Sequence, residues 1–219
     1  MQINSYAKIN LGLHVLNERA DGFHNITTIF QELNFCDQII IEESKKMSFD
    51  ANVDWLDRTN NTCIEAIKIL QNHYSDLPNF KIFLQKNIPT NAGLGGGSSN
   101  GTATLKAINQ LCGLNIQEKE MKQFAEKISA DSTFFVNGGL QGGEQKGEKL
   151  YPIKDSTIGA YILLVMPSIK VQTSDAFMFI KKYLVKGKTD VKLSQMLEEL
   201  KLNKLSSELF YNDFEMYVF

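Results

Sequence analysis

The sequence predicts a mixed α+β fold in two domains, residues 1–157 and 158–219. Three observations predict it. An alternating apolar run, Phe80, Ile82 and Leu84, enters a glycine-rich stretch, Pro89 to Gly101, that leads into a helical pattern, giving a strand–loop–helix unit. Residues 2–16 alternate, and Ile39-Ile40-Ile41 marks a further strand over Gln38 to Glu43. Helical apolar spacing recurs in the segments 60–74, 98–112 and 116–129. A length of 219 residues suits one large domain or two small ones, at about 150 residues per domain.

Residues 2–16 alternate through Ile3, Tyr6, Leu11, Leu13 and Val15 and read as two short strands around Ala7-Lys8-Ile9-Asn10. On residue type alone, Lys8 stays open between a surface strand lysine and a functional one. Arg19-Ala20-Asp21-Gly22 is a turn, because Asp-Gly suits positive φ. Phe23 to Phe35 continues as extended chain, and Ile39-Ile40-Ile41 makes Gln38 to Glu43 a strand. Residues 44–59 are polar and read as irregular. A helix then starts at Asn60-Asn61-Thr62, with Cys63, Ile67, Leu70 and Tyr74 on one face.

After the turn at Asp76-Leu77-Pro78 comes a strand over Phe80–Ile88 and the glycine stretch. Its helix runs to about Cys112, capped at the start by Ser98 and Ser99 and stopped by Gly113. Met121, Phe124, Ala125 and Ile128 align on a further helix over Ile116–Ser129. Ser129-Ala130-Asp131-Ser132-Thr133-Phe134-Phe135 reads as another helix start. There Asp131 is either a helix N-terminal acid, contributing about 0.3–1 kcal/mol, or a functional carboxylate. Gly138-Gly139 and Gly142-Gly143 bracket a hairpin. Tyr161 to Val165 reads as a buried strand, and Thr173 to Leu184 and Val191 to Lys201 as helices.

Composition excludes several classes. The chain is 43% apolar and 22% charged, with a formal net charge of −2 and a pI near 6.0, so it has no basic footprint for nucleic acid or an anionic membrane. Cys36, Cys63 and Cys112 lack the spacing of a disulfide framework or zinc site. Met1-Gln2-Ile3-Asn4-Ser5 does not read as a signal peptide, and the longest apolar stretch, Gly159 to Pro167, falls short of the ~20 residues that span a bilayer. A cytoplasmic location is expected.

The glycine stretch Pro89-Thr90-Asn91-Ala92-Gly93-Leu94-Gly95-Gly96-Gly97-Ser98-Ser99 lets backbone N–H groups converge with no Cβ in the way, and the helix start after it adds a positive dipole end. It is a phosphate-loop candidate. No Gly-Lys-Ser/Thr is present, which removes the Walker A reading, and G-x-G-x-x-G fails because Ser98 or Asn100 takes the last position. Gly97-Ser98-Ser99-Asn100-Gly101 fits G-x-S-x-G, yet His14, His24 and His73 all precede Ser99, against the chain order of an α/β-hydrolase.

Tyr6-Ala7-Lys8-Ile9-Asn10-Leu11, Asp21-Gly22-Phe23-His24, Pro89 to Ser99 and Ala130-Asp131-Ser132-Thr133-Phe134-Phe135 occur together and in order. This set resembles the GHMP small-molecule kinases, and within them the branch whose acceptor is a cytidine-diphosphate-linked methylerythritol. The resemblance extends from about residue 3 to Glu215. It implies the GHMP kinase fold: an N-terminal ribosomal-protein-S5-domain-2-like domain and a C-terminal ferredoxin-like α/β domain. Asn212-Asp213-Phe214-Glu215 resembles a family helix start. Members continue from there with a long helix, a third glycine-rich loop and closing strands, so the C-terminal domain is expected to be incomplete in these 219 residues.

The implied activity is transfer of the ATP γ-phosphoryl group to the 2-hydroxyl of 4-diphosphocytidyl-2-C-methyl-D-erythritol, in non-mevalonate isoprenoid synthesis. The alternatives are another GHMP small-molecule kinase, or a nucleotide-binding remnant without turnover. By resemblance Lys8 and Asp131 are the catalytic pair: Asp131 takes or orients the hydroxyl proton, while Lys8 keeps that carboxylate ionised and offsets charge on the transferring group. Pro89 to Ser99 hold ATP, with Lys86 near the nucleotide or else a solvated strand-end charge. Ser98 or Ser99 faces Mg²⁺, which commonly takes few protein ligands. Phe23 and Phe177 stack cytosine, His24 reads its edge, and Asn10 and Thr173 contact the acceptor. Phe23 replaces the usual tyrosine and keeps stacking without the phenol oxygen, and Phe177 is alternatively a core residue of an amphipathic helix. The expected partners are ATP and the small cytidyl substrate, without nucleic acid or membrane; a homodimer is compatible with this.

Overall fold

The computed structural model describes residues 1–153, 161–166, 173–183 and 191–218. The chain forms two compact units. The first comprises Met1–Lys8, Leu33–Thr90 and Leu94–Gly138; the second comprises Ile9–Glu32, Asn91–Gly93 and Gly139–Phe219. Two long strands contribute to both: β1 (Gln2–Glu18) and its partner β2 (His24–Ser44).

In the first unit, β3 (Ser48–Ala51) is followed by α1 (Thr62–His73), β4 (Asn79–Gln85), α2 (Gly96–Leu111) and α3 (Glu118–Ile128). A 3₁₀ turn at Ala130–Thr133 runs into the short α4 (Phe134–Asn137). The second half of β2 pairs antiparallel with β4, from Gln38↔Gln85 to Ser44↔Asn79, and β3 runs parallel to β4. Alternation sets the faces: Ile39 and Ile41 are buried and Ile40 is exposed, while Phe80, Ile82 and Leu84 all point inward. Against them pack Ile64, Ile67 and Leu70 of α1, Leu105 and Ile108 of α2, and Met121 and Phe124 of α3. Asn61 caps α1, its side-chain oxygen accepting from the N–H groups of Cys63 and Ile64.

In the second unit, the first half of β2 pairs antiparallel with β5 (Leu140–Gln145), from Ile26↔Gln145 to Gln31↔Leu140, and β5 pairs with β6 (Lys149–Pro152). Among the described residues, helices α5 (Thr173–Tyr183), α6 (Leu193–Lys201) and α7 (Glu215–Val218) belong to the same unit. Leu193, Met196 and Leu200 of α6 pack on Ile29, and Ile180 of α5 packs with Leu13, Val15 and Ile26. Among the described residues no helix is long and apolar enough to cross a membrane.

Several expectations give way. Residues 2–18 are one strand, because Gly12 absorbs the irregularity at φ +73, where an added Cβ would meet the Leu209 carbonyl oxygen at 2.7 Å. The polar segment 44–59 contains β3, whose Phe49 and Ala51 reach the core. Ser98 and Ser99 are not caps: α2 starts two residues earlier behind Gly95, whose left-handed backbone turns the chain into the helix. Tyr161–Val165 is not a buried strand. It has no regular structure, and Tyr161, Leu163 and Val165 are exposed; an apolar run becomes a strand only where a neighbour supplies hydrogen bonds and cover. The boundary at 157/158 and the expected helix end at Leu184 lie outside the described residues.

Candidate active site

The glycine loop leaves β4 through Asn91 (φ 56) and Gly93 (φ 73) and enters α2 at Gly95 (φ 67). Close packing explains Gly95: an added Cβ would lie 2.9 Å from Phe135 Cζ and 3.0 Å from Lys8 Cγ. The first helical hydrogen bond runs from Ser99 N–H to the Gly95 carbonyl at 2.9 Å. The N–H groups of Gly96, Gly97 and Ser98 therefore stand ahead of the α2 ladder, at the positive end of a 16-residue helix. Gly97 is exposed, with no atom nearer than Thr62 Cγ2 at 3.9 Å to the place of a Cβ, so an anion can approach the backbone there. Thr62 Oγ1 steadies this turn by donating to the Gly97 carbonyl at 2.7 Å.

Lys8 is bound into the same turn. Its backbone N–H donates to the Leu94 carbonyl at 3.0 Å, and its Nζ lies 3.2 Å from Asp131 Oδ2. The lysine side chain is 7% exposed and that of Asp131 36%, so the carboxylate is the solvent-facing member of the pair. Hydroxyls hold Asp131 against α2. Ser129 Oγ donates to Ser98 Oγ at 2.8 Å, and Thr102 Oγ1 is 2.9 Å from the Ser132 carbonyl and 3.0 Å from the Ser98 carbonyl. Lys8, Asp131 and Leu94 to Ser99 thus form one site in the first unit. Two residues 123 positions apart in sequence meet because β1 and the 3₁₀ turn both border the start of α2.

Lys86 is not a solvated strand-end charge. Its side chain is 3% exposed, and its Nζ is 2.5 Å from Oδ2 of Asp37, which is fully buried. Sequence reasoning passed over Asp37, although a lone acid inside Phe35-Cys36-Asp37-Gln38-Ile39 is a readable signal: a buried strand carboxylate needs partners. The loop serines also differ from each other. Ser99 Oγ is buried and accepts from Ser5 Oγ at 2.8 Å, whereas Ser98 is half-buried at the helix start. A divalent cation here would find hydroxyl oxygen, with Ser98 the more accessible donor.

The residues expected to bind the acceptor fall in the second unit. Asn10 Nδ2 donates to Thr28 Oγ1 at 2.8 Å. The buried His24 and the half-buried Phe177 stack with ring centroids 5.5 Å apart and planes 14° from parallel. Phe214 and Phe177 form a T-shaped pair with ring centroids 4.9 Å apart, and Phe177 also packs with Leu13, Val15, Ile26 and Ile180, so it belongs to a core cluster as well. Phe23 is 56% exposed, with Lys146 Nζ 5.3 Å above its ring centre. Thr173 is the first residue of α5.

These features can be set beside known proteins. Residues 61–139, which hold the loop and Asp131, match the GHMP kinases N-terminal domain. The 4-diphosphocytidyl-2-C-methyl-D-erythritol kinase of Persephonella marina is 35% identical over 196 residues, 89% of this chain and 71% of that protein. The protein of the same name from Francisella tularensis subsp. novicida is 37% identical over 215 residues, 96% of this chain and 74% of that one. The chain belongs to the 4-diphosphocytidyl-2-C-methyl-D-erythritol kinase family.

The fold agrees with that membership. A crystal structure of 4-(cytidine 5'-diphospho)-2C-methyl-D-erythritol kinase superposes with a TM-score of 0.75 at 24% identity, covering 100% of this chain and 77% of the other. The Methanococcus jannaschii mevalonate kinase does so with 0.61 at 16% identity, covering 92% and 70%. Membership in this kinase family makes the α2 start a phosphate-loop candidate with a small-molecule kinase precedent.

Proposed function

We propose that the chain transfers the γ-phosphoryl group of ATP to the 2-hydroxyl of 4-diphosphocytidyl-2-C-methyl-D-erythritol, a step of non-mevalonate isoprenoid precursor synthesis. The observation that carries this reading is the 3.2 Å Lys8–Asp131 pair, tied through the Lys8 backbone to the carbonyl of loop residue Leu94. Family membership supplies the acceptor. The three cysteines are unpaired thiols, which suits a reducing cytoplasm.

In this reading the N–H groups of Gly96, Gly97 and Ser98 hold the ATP phosphates, and Asn91 to Gly95 shape the approach. Ser98 or Ser99 would offer a hydroxyl to Mg²⁺, which would screen phosphate charge when bound. Asp131 Oδ1 or Oδ2 receives the proton of the attacking hydroxyl. Lys8 Nζ holds that carboxylate in place and neutralises charge building on the attacking oxygen. Phosphoryl transfer asks little covalent work of a protein, so a fixed carboxylate, a fixed ammonium and a row of backbone donors are sufficient machinery. Cytosine is assigned to Phe23, His24 and Phe177, and the acceptor's hydroxyls to Asn10 and Thr173.

The test is ADP release by purified protein, coupled to a spectroscopic readout, with several acceptor alcohols. Turnover with the cytidyl acceptor alone is expected. Turnover only with another alcohol reassigns the acceptor, and nucleotide binding without turnover removes the kinase reading.

A further inference from the structure

Asp37 is the most heavily bonded acid of the first unit, and the chemistry described above does not use it. Oδ1 accepts the backbone N–H groups of Asn87 and Ile88, each at 2.7 Å. Oδ2 accepts Lys86 Nζ at 2.5 Å and Asn100 Nδ2 at 2.8 Å. The same Asn100 nitrogen lies 2.9 Å from Ser5 Oγ, which donates to Ser99 Oγ at 2.8 Å. One carboxylate therefore holds the entry of the glycine loop, residues 86–88, and its exit, residues 99–100. Through Ser5 it also reaches the strand that carries Lys8.

Lys86 lies directly beneath the first helical residue of α2. A Cβ on Gly96 would come within 3.0 Å of Lys86 Nζ and 2.9 Å of Ile88 Cγ2. Energetics argue against a purely structural purpose. Removing two charges from water costs several kcal/mol per ion, and well-packed apolar residues of similar volume hold a core as well or better. What the ion pair adds is direction: four donors converging on one carboxylate allow the two loop ends a single relative placement.

We propose that Asp37 and Lys86 are a positioning pair for the ATP phosphate loop, acting on the nucleotide through the Gly95–Asn100 backbone and not by contact with it. This rests on the reading of that loop as the ATP site. Lys86→Met strands the Asp37 carboxylate, and Asp37→Asn strands the ammonium. Each single variant raises KM for ATP about 10-fold to 100-fold, the range a small misplacement produces. The KM for the acceptor stays within about twofold, because the loop does not bind it. The double variant Asp37→Asn/Lys86→Met carries no stranded charge and recovers most of the loss.

Steady-state kinetics of the three variants provide the test, with amide hydrogen exchange of peptides covering 93–100 as a readout independent of turnover. The singles should exchange faster there than wild type, and the double should return towards it. A double variant as weak as Lys86→Met alone would mean that Lys86 touches the nucleotide, which overturns the proposal. Unchanged exchange and KM in Asp37→Asn overturn it equally. Should the singles fail to fold, Asn100→Ala, which removes only the α2 arm of the network, must show faster exchange at 93–100 and a raised KM for ATP, or the proposal fails. Absence of turnover in wild type defeats the kinase reading alone, since the exchange measurements still decide the loop claim.

Discussion

The two groups of assigned residues are built by different means. Around the start of α2 the charged and hydroxyl side chains make polar, directional contacts: Lys8 to Asp131, Ser129 to Ser98, Thr102 to two carbonyls, and Asp37 to four donors. The group that includes His24 is built on rings: Phe177 stacked on the histidine, Phe214 in a T-shaped pair with Phe177, and Phe23 under Lys146. Hydrogen bonds to a buried charge fix positions to fractions of an ångström, as phosphoryl transfer requires. Aromatic faces hold a flat ligand with wide tolerance and low directional demand. Under the proposed assignments, geometry matters most where bonds change, and adhesion suffices where a base is only held.

The largest effect that would break this comparison is at Lys8 and Asp131, the proposed catalytic pair. Asp131→Asn is expected to lower kcat about 100-fold or more while leaving the melting temperature close to wild type, since the side chain is 36% exposed. The ADP-release assay and a thermal melt check it together; retained turnover would remove Asp131 from the chemistry. Next comes a pair of neighbouring glycines. Gly96→Ala forces a Cβ to within 2.9 Å of Ile88 and is expected to cost about 1–3 kcal/mol. Gly97→Ala meets nothing nearer than 3.9 Å and should be neutral or gain a fraction of the ~1 kcal/mol difference in helix propensity. Chemical denaturation of the two variants should show a clear loss at Gly96 and none at Gly97.

The ring site sharpens the contrast at smaller scale. Phe177→Ala is expected to lose about 1–3 kcal/mol of stability and raise KM for the acceptor, because this ring also packs on Leu13, Val15 and Ile180. Phe23→Ala should raise the acceptor KM with a stability change under about 1 kcal/mol, since its ring is exposed beneath one lysine. Equal changes in the KM for ATP would contradict the division of labour.

A further effect, confined to alkaline pH, concerns Cys63, whose thiol is pushed up to about 12 by burial. The folded state thus favours the neutral thiol. That contribution is complete below the ordinary thiol value near 9.0 and is lost as pH rises towards 12, so stability should fall across this alkaline window. A thiol reagent near pH 8 should leave Cys63 unmodified in the native protein and modify it after denaturation.

Much of the fold was legible because it is local. Alternation at Phe80, Ile82 and Leu84, the Asn61 cap and the apolar face of α3 are each written within a few consecutive residues. The failures share one cause. Tyr161–Val165 has the composition of a strand without the cover that makes one, and Ser98-Ser99 has the composition of a cap inside a helix that Gly95 had already started. Composition records what a segment can do, whereas its neighbours decide what it does. Asp37 was missed for the same reason: an acid in a strand shows its value only when Lys86, Asn87, Ile88 and Asn100 converge on it.

By itself, then, the sequence determined the elements, the glycine loop and the residue types available for chemistry, because propensity, periodicity and motif order are properties of neighbours along the chain. Tertiary structure alone decided which of those residues meet. Lys8 and Asp131 come within 3.2 Å, and Lys86 turns from a strand-end charge into the buried partner of Asp37. Those pairings depend on distances between segments far apart in sequence, which only packing sets, and on the cost of burying a charge without a partner.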